Sequence, residues 1–221
     1  MNLALFDLDN TLLRGDSDYN WSKFLIKKNL LDKNLHEKQN EIFYQQYQNG
    51  TLDIYEFCEF QFRPLKENKR QDLDLIRQEY VEEIIKPLVS NKSIDLVKSH
   101  LRQNDLCIII TATNSYITKP IADLFGIDNL IGTIPEEIGG QFTGKVEGLP
   151  SFQFGKVTRL ENWLVKKELS IESFDKSYFY SDSHNDLPLM KKVTNPICVN
   201  PDDKLKSEAQ RLSWETISLE D

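Results

Sequence analysis

The chain has little cysteine, and its three cysteines show no paired spacing. Cys107 and Cys198 lie in apolar runs, and Cys58 lies on an apolar stripe with helical spacing. A free cysteine behaves as a small apolar side chain, so we expect three buried, reduced thiols. No spacing matches the paired ligands of a zinc site.

Positive charge is also in short supply. The chain carries 27 Lys and Arg against 35 Asp and Glu, which gives a formal net charge of -8 over 221 residues. A broad nucleic-acid-binding face requires an excess of basic residues. We therefore expect no nucleic-acid partner.

Long apolar runs are absent as well. No stretch approaches the roughly 20 apolar residues that span a bilayer. The N-terminus lacks a basic region, and Asp7 interrupts its apolar run early, unlike a signal peptide. We expect a cytoplasmic protein without a membrane partner, built as one large domain or as a core with a smaller insert.

The strongest chemical feature follows the first apolar run, at residues 3–6. This run is typical of a buried strand, and Asp7 and Asp9 come directly after it. Side chains alternate along a strand, so both carboxylates are expected on the same side. Two such groups repel each other unless a cation or a proton neutralises them. A simple turn is the alternative interpretation, because Asp and Asn are common turn residues.

Residues 16–86 show helical periodicity and no convincing strand pattern. A crossover between parallel strands needs only about a dozen residues. We therefore predict an inserted all-helical cap at residues 16–86 and a catalytic core made of residues 1–15 and 87–221.

Several residues are expected to limit the helices of this insert. Ser17 or Asp18 is expected to cap the first helix, and Asp53 a later one. Gly50 is expected at a helix C-terminus, and Pro64 is expected to end the helix that contains it.

The rest of the chain alternates between helix and strand patterns, with Gly139 and Gly140 expected in a hairpin turn. The predicted strands are residues 106–110, 130–134, 178–180 and 196–199. This alternation predicts an α/β fold: a Rossmann-like parallel sheet with helices on both faces.

Further polar residues are expected at strand or helix ends. Thr111 follows the second strand, Lys156 opens a helix, and Asp182 and Asp186 follow a later strand. Carboxylates suit Mg²⁺, and a lysine with a hydroxyl can complete a phosphate cradle. Each residue alone fits an ordinary cap, a solvated lysine or a loop acid. Together with the first acidic pair they predict a phosphoryl-handling site.

Residues 7–13, with the sequence DLDNTLL, resemble the first motif of the haloacid dehalogenase (HAD) superfamily. Thr111, Lys156 and residues 182–186 resemble its second, third and fourth motifs in the same order. Ser183 stands where that family usually has glycine. The helical insert resembles the cap of the phosphoserine phosphatase-like branch, subfamily IB.

The resemblance implies a Mg²⁺-dependent phosphatase. Asp7 would be the nucleophile that forms an aspartyl-phosphate, and Asp9 would act as general acid and base. Mg²⁺ would be held by Asp7, Asp182 and the backbone carbonyl of Asp9, with Asp186 orienting its water shell or Lys156.

The resemblance also assigns the phosphate contacts. Thr111 and the Ala112 N–H would hold phosphate oxygens, and Lys156 would neutralise the phosphate. Asn114 and Asn185, in the second and fourth motifs, are further candidates for substrate binding.

A helical cap favours a small phosphorylated metabolite, because a closed site excludes polymers. The resemblance indicates phosphoserine or a related amino-alcohol phosphate such as histidinol phosphate. Asp16, Asp18, Trp21 and Arg63 are the candidates for specificity, and each also fits a structural role.

Other interpretations remain open. A phosphotransferase between small molecules and a non-catalytic phosphate-binding module are the alternative functions, and the chain could be a monomer or a homodimer. His184 could contact a leaving group or be an ordinary loop residue. His36 and His100 are expected on the surfaces of helices.

Overall fold

The computed structural model describes residues 1–220 and is built around a seven-stranded sheet. The strands are β1 (Leu3–Phe6), β2 (Leu106–Asn114), β3 (Asn129–Ile138), β4 (Gln141–Glu147), β5 (Ser177–Ser181), β6 (Asn195–Val199) and β7 (Glu215–Ile217). Their spatial order is β4-β3-β2-β1-β5-β6-β7, and only the β3–β4 pair is antiparallel. The predicted α/β fold is confirmed.

Helices supply the outer layers. They are α1 (Ser17–Lys27), α2 (Lys33–Asn49), α3 (Ile54–Glu67), α4 (Arg70–Tyr80), α5 (Asn91–Arg102), α6 (Ser115–Leu124), α7 (Phe154–Val165), α8 (Leu187–Met190) and α9 (Asp203–Leu212). All of residues 16–86 are described, and they contain helices and turns without a strand, as predicted. None of the helices within residues 1–220 is long and apolar enough to cross a bilayer.

Alternating side chains of β1 divide the core between the two faces of the sheet. Ala4 and Phe6 join a cluster with residues from α1, α3, α4, α5 and α6. Leu3 and Leu5 join a second cluster with residues from α7, α8 and α9. This is the period-two pattern of a strand that is buried on both faces.

Strand register brings the motif loops to one edge of the sheet. Phe6 pairs with Ile109 of β2 and with Tyr180 of β5, and both pairings are parallel. The residues after these positions therefore leave the sheet at the same carboxyl edge, where ligands bind in open α/β sheets. Asp7 continues the pairing, because its N–H donates to the Tyr180 carbonyl at 2.9 Å.

The helical segment packs on the sheet through shared apolar side chains. Trp21, Phe62 and Tyr80 belong to the same buried cluster as Phe6 and Ile109. One continuous apolar core thus holds the helical segment against the sheet.

Helix ends follow the sequence signals in part. Gly50 ends α2 with a left-handed φ of 73°, and Asp53 caps α3 by accepting hydrogen bonds from the N–H groups of Tyr55 and Glu56, so both predictions are confirmed. The prediction for α1 was wrong. Its cap is Asp16, whose carboxylate accepts from the Tyr19 N–H at 2.8 Å.

Pro64 was expected to end its helix, and this prediction was wrong. The helix α3 continues past it to Glu67. A proline inside a helix removes a backbone hydrogen bond. Its neighbours Phe62 and Leu65 are fully buried in the core, and their packing offsets this loss.

His36 and His100 were expected on the surface, and both are buried. His100 Nδ1 lies 2.8 Å from the Asp105 carboxylate, and its Nε2 lies 2.9 Å from the Tyr180 hydroxyl. These partners satisfy both ring nitrogens, which allows a polar ring to lie in an apolar layer.

The hairpin turn at Gly139 and Gly140 is confirmed between β3 and β4, and β3 is longer than the predicted strand at 130–134. The three cysteines are free and buried, as predicted.

Candidate active site

Asp7 stands at the end of β1 and is almost fully buried. Its Oδ1 accepts a hydrogen bond from Lys156 Nζ at 2.7 Å, and its Oδ2 lies 3.4 Å from the Thr11 hydroxyl. The loop after Asp7 turns back through Asn10, whose φ of 55° is left-handed. This turn brings Thr11 back beside the strand end.

Lys156 bridges two carboxylates. Its Nζ donates to Asp7 at 2.7 Å and to Asp186 at 2.8 Å, and all three side chains are buried. Asp186 also accepts from the Ser181 hydroxyl at 2.7 Å. Charge-assisted hydrogen bonds of this kind fix the ammonium in one place.

The backbone before Lys156 explains its position. A Cβ at Gly155 would lie 2.1 Å from the Pro150 carbonyl oxygen, so only glycine permits this approach. The preceding loop therefore packs directly against the first turn of α7 and directs Lys156 into the site.

Burial and neighbouring charges act in opposite directions on the pKa values of Asp7 and Lys156. Burial raises the pKa of Asp7 to about 7, although the Lys156 charge lowers it. Burial lowers the pKa of Lys156, but the charges of Asp186 and Asp7 outweigh it and leave that pKa raised. Lys156 therefore remains a cation between its two partners.

Asp182 lies in the loop after β5 and faces the same threonine as Asp7. The Asp182 Oδ1 lies 3.2 Å from the Thr11 hydroxyl, and the Asp182 N–H donates to that hydroxyl at 3.1 Å. Thr11 has one hydroxyl proton, so it cannot donate to both carboxylates at once. Burial, followed by the charges of Asp7 and Asp186, raises the pKa of Asp182 well above its ordinary value.

The pair of Asp7 and Asp182 has the donor chemistry of a site for a hard cation. Within residues 1–220, no three His, Cys, Asp or Glu side chains are arranged to hold a metal ion. Two neighbouring carboxylates suit Mg²⁺, because this ion binds oxygen ligands and keeps several of its waters. Burial disfavours the charged forms of Asp7 and Asp182, so a cation beside them would stabilise those forms.

The Asp9 side chain makes different contacts. Its Oδ1 accepts from the Ser17 N–H at 2.6 Å, and its Oδ2 accepts from the Thr113 hydroxyl at 2.7 Å. Burial and the charge of Asp16 raise the pKa of Asp9 to about 6, against the lowering effect of the hydrogen bonds from Ser17 and Thr113. Asp9 thus faces the start of α1 and the end of β2.

The second-motif residues lie at the end of β2. The Thr111 hydroxyl accepts from the Thr113 N–H at 3.2 Å, and the Ala112 carbonyl accepts from Thr133 at 2.7 Å. Asn114 caps α6, and its amide lies 3.5 Å from Asp18. Asn114 is therefore engaged by the protein itself.

The fourth-motif loop contacts the helical segment. The Tyr47 hydroxyl lies 2.7 Å from the Ser183 hydroxyl, and Asn185 lies 3.5 Å from the Tyr47 carbonyl. Asn185 also accepts from Gln153 at 2.8 Å. His184 turns to Asp202, with its Nδ1 2.8 Å from that carboxylate.

The structure brings together Asp7, Asp182, Asp186 and Lys156 through direct or shared hydrogen bonds, with Asp9 beside them. Arg63 stays apart, because it is exposed and lies over the ring of Phe60. Asp16 is occupied as a helix cap.

Four site residues were not singled out from the sequence: Thr11, Tyr47, Thr113 and Gln153. Thr113 lies two residues beyond Thr111 in β2, so alternation along the strand could have indicated it. Thr11 reaches the site through the turn at Asn10, and strand alternation does not predict its position. Tyr47 and Gln153 carry no signal of this kind, because tertiary packing alone brings them to the site.

Comparison with known proteins decides the family. The profile of haloacid dehalogenase-like hydrolases matches residues 4–191. The chain belongs to this family. The predicted family is thereby confirmed.

One curated relative of this hydrolase is the histidinol-phosphatase of Neisseria meningitidis serogroup C. It is 45% identical over 219 residues, covering 99% of each chain. The expected class, a phosphoric monoester hydrolase of this family, is confirmed by these comparisons.

Two solved structures show the shared fold. A protein of unknown function from Bordetella pertussis Tohama I superposes with a TM-score of 0.94 at 41% identity, covering 99% of each chain. A phosphoserine phosphatase with an analogue of its phospho-aspartyl intermediate gives a TM-score of 0.69 at 16% identity, covering 99% of this chain and 93% of the other. The second likeness concerns the fold alone.

Proposed function

We propose that this hydrolase removes phosphate from histidinol phosphate or a closely related amino-alcohol phosphate. The main structural support for this reaction is the position of Lys156, which is buried and donates hydrogen bonds to both Asp7 and Asp186. The choice of substrate is supported by the Neisseria histidinol-phosphatase, which is similar along the whole chain.

Asp7 is the proposed nucleophile. Lys156 holds its Oδ1 at 2.7 Å, which orients the carboxylate and supplies positive charge for the incoming phosphate. Attack by Asp7 on phosphorus would form an aspartyl-phosphate and release the alcohol. Mg²⁺, held by Asp7, Asp182 and the Asp9 carbonyl, would offset the charge between the carboxylate and the phosphate.

Asp9 is the proposed general acid and base. A pKa raised to about 6 lets one carboxyl group donate a proton to the leaving oxygen and later accept one from water. The hydrogen bonds from Ser17 and Thr113 hold its orientation through both steps.

The remaining motif residues have supporting roles in this proposal. Thr111 and the Ala112 N–H would hold phosphate oxygens at the end of β2. Asp186 would position Lys156, because it shares the ammonium with Asp7.

We further propose that residues 16–86 act as a cap over a core made of residues 1–15 and 87–221. Tyr47 supports this division, because it contacts Ser183 and Asn185 across the site. A covered site favours a small soluble metabolite over a polymer. We propose a cytoplasmic enzyme, monomeric or homodimeric, without a nucleic-acid partner.

The test is phosphate release from histidinol phosphate, phosphoserine and p-nitrophenyl phosphate with Mg²⁺. We expect kcat/KM to be highest for histidinol phosphate, by about tenfold or more. Equal or faster turnover of phosphoserine would overturn the substrate assignment. Transfer of phosphate to an added alcohol instead of water would favour the phosphotransferase alternative.

A further inference from the structure

Three neighbouring polar groups of α1 are buried without a hydrogen-bond partner. They are Ser17 Oγ, Asp18 Oδ2 and Trp21 Nε1, and their side chains are exposed by 0%, 7% and 2%. Buried polar groups are nearly always paired, because leaving one unpaired is unfavourable. One helix therefore presents a hydroxyl, a carboxylate oxygen and an N–H that lack a partner.

These groups lie on one face of α1. Residues three and four positions apart are neighbours on a helix surface, so Trp21 lies next to both Ser17 and Asp18. The Trp21 ring itself is fixed by an edge contact with Tyr80, with ring centroids 5.1 Å apart. The three unpartnered groups therefore belong to residues that share one side of the first turn and a half of α1.

These residues adjoin the proposed general acid. The Ser17 N–H donates to Asp9 at 2.6 Å, and Thr113 holds the other oxygen of Asp9. Asn114, the residue after Thr113, places its amide 3.5 Å from Asp18 Oδ1. Since Asp9 would protonate the leaving oxygen, these residues lie where the alcohol part of the ester would be bound.

Asp18 differs from the other acids of the site. Asp7 and Asp186 share Lys156, Asp182 faces Thr11, and Asp16 caps α1. Among the carboxylates within residues 1–220, Asp18 alone has an oxygen that is both buried and without a partner.

We propose that Asp18 is a specificity-determining residue that binds a cationic nitrogen on the alcohol part of the substrate, with the Trp21 N–H donating to a separate, uncharged acceptor atom of that alcohol. This inference rests on the proposed function for the position of the alcohol. An ammonium or imidazolium group would supply the N–H donor that Asp18 Oδ2 lacks. An alcohol without such a donor would leave this oxygen buried and unpaired, so the site would disfavour it.

The first test is the variant Asp18→Asn, which keeps the shape and removes the charge. The measured quantity is the ratio of kcat/KM for histidinol phosphate to kcat/KM for p-nitrophenyl phosphate. We expect this ratio to fall by about 10- to 100-fold, the range for a charged hydrogen bond. A ratio within twofold of the wild type would overturn the proposal.

Asp32→Asn is the matched control. Asp32 is an exposed carboxylate that caps α2, and asparagine caps helices equally well. The same ratio is expected to stay at the wild-type value in this variant. An equal fall in both variants would also overturn the proposal.

A second measurement is independent of phosphate chemistry. Calorimetric titration with histidinol, the free alcohol, is expected to give at least about tenfold weaker binding to Asp18→Asn than to the wild type. Trp21→Phe removes the indole N–H together with part of the buried ring, so its fold is first checked by circular dichroism. The folded variant is expected to bind histidinol several-fold more weakly, which keeps the test decisive if Asp18→Asn does not fold. Equal affinities, or no binding to the wild type, would overturn the proposal.

The two proposals can fail separately. If no ester releases phosphate but histidinol binding depends on Asp18, the proposed function fails and the binding role of Asp18 stands. If esters are hydrolysed and the preference for a cationic alcohol is unchanged in Asp18→Asn, the role of Asp18 fails alone.

Discussion

Tyr47 and Ser183 join the helical segment to the fourth-motif loop through hydroxyl groups 2.7 Å apart. Tyr47 belongs to α2, and Ser183 follows Asp182 directly. Ser183 stands where the family usually has glycine, which has no side chain to make such a contact. The same Ser183 hydroxyl also accepts from the Asn185 N–H at 3.2 Å, so one side chain both shapes the loop and binds the helices.

We expect Tyr47→Phe and Ser183→Ala to be non-additive. Either change removes the shared hydrogen bond, so the second change has less left to remove. The effect of the double variant on kcat/KM, expressed as a free energy, should therefore be smaller than the sum of the two single effects. A double-mutant cycle on kcat/KM should give a coupling of about 1 kcal/mol. Tyr44→Phe is the control, because its exposed hydroxyl contacts only Gln48 among the described residues. Additive effects would show that the contact does not influence activity.

Gly155→Ala should destabilise the fold and reduce activity together. The new Cβ would lie 2.1 Å from the Pro150 carbonyl oxygen, so the backbone before Lys156 must shift. We expect a loss of about 2–4 kcal/mol in the free energy of unfolding, measured with urea. Gly148→Ala is the comparison, because nothing lies within 4 Å and only its left-handed φ of 71° opposes a side chain. A smaller loss at Gly155 than at Gly148 would contradict this explanation.

Lys156→Met should destabilise the protein in a pH-dependent way. Lys156 lowers the pKa of Asp7 against the burial that raises it to about 7, so its removal should raise that pKa further. A carboxyl group whose pKa is higher folded than unfolded makes stability fall as pH rises above its unfolded value of about 4. With chelator present, we expect the free energy of unfolding, measured with urea, to be about 3–5 kcal/mol lower than in the wild type at pH 8. The difference at pH 5 should be smaller.

The control for that series is Lys192→Met, which removes an exposed ion pair with Glu161. Exposed pairs contribute less than about 1 kcal/mol, so its stability should follow the wild type at both pH values. If the loss in Lys156→Met were the same at pH 5 and pH 8, the coupling between Lys156 and Asp7 would be refuted.

Removal of Mg²⁺ should abolish turnover. Asp7 and Asp182 share one threonine hydroxyl, and their raised pKa values show that two charged carboxylates are unfavourable there without a cation, so phosphate binding beside them requires one. We expect a chelator to stop phosphate release and added Mg²⁺ to restore it. Asp182→Asn should raise the half-saturating Mg²⁺ concentration by about tenfold or more. Full activity in chelator would exclude this role for the pair.

The order of the elements and the four motif loops could be predicted from the sequence. Apolar runs of strand length, each followed by polar residues, indicated the parallel sheet and its functional edge. The helical character of residues 16–86 was equally readable, because caps such as Asp53 and stops such as Gly50 use local chemistry. Whether this segment acts as a separate cap stays a prediction.

The errors arose where tertiary packing overrides local signals. His100 looked like a surface residue, but Asp105 and Tyr180 satisfy its ring inside the core. Pro64 lies within α3, because the flanking apolar residues are buried. The contact of Tyr47 with Ser183 joins residues 136 positions apart, and no spacing rule predicts such a pair.

The most direct test of the account concerns a covalent phosphate on Asp7. Wild-type protein mixed with a radiolabelled phosphate ester and Mg²⁺ and then quenched in acid should retain label on the peptide that contains Asp7. Asp7→Asn should retain none and should release no phosphate. Turnover by Asp7→Asn at the wild-type rate, or label on another residue, would contradict the central claim that Asp7 is the nucleophile.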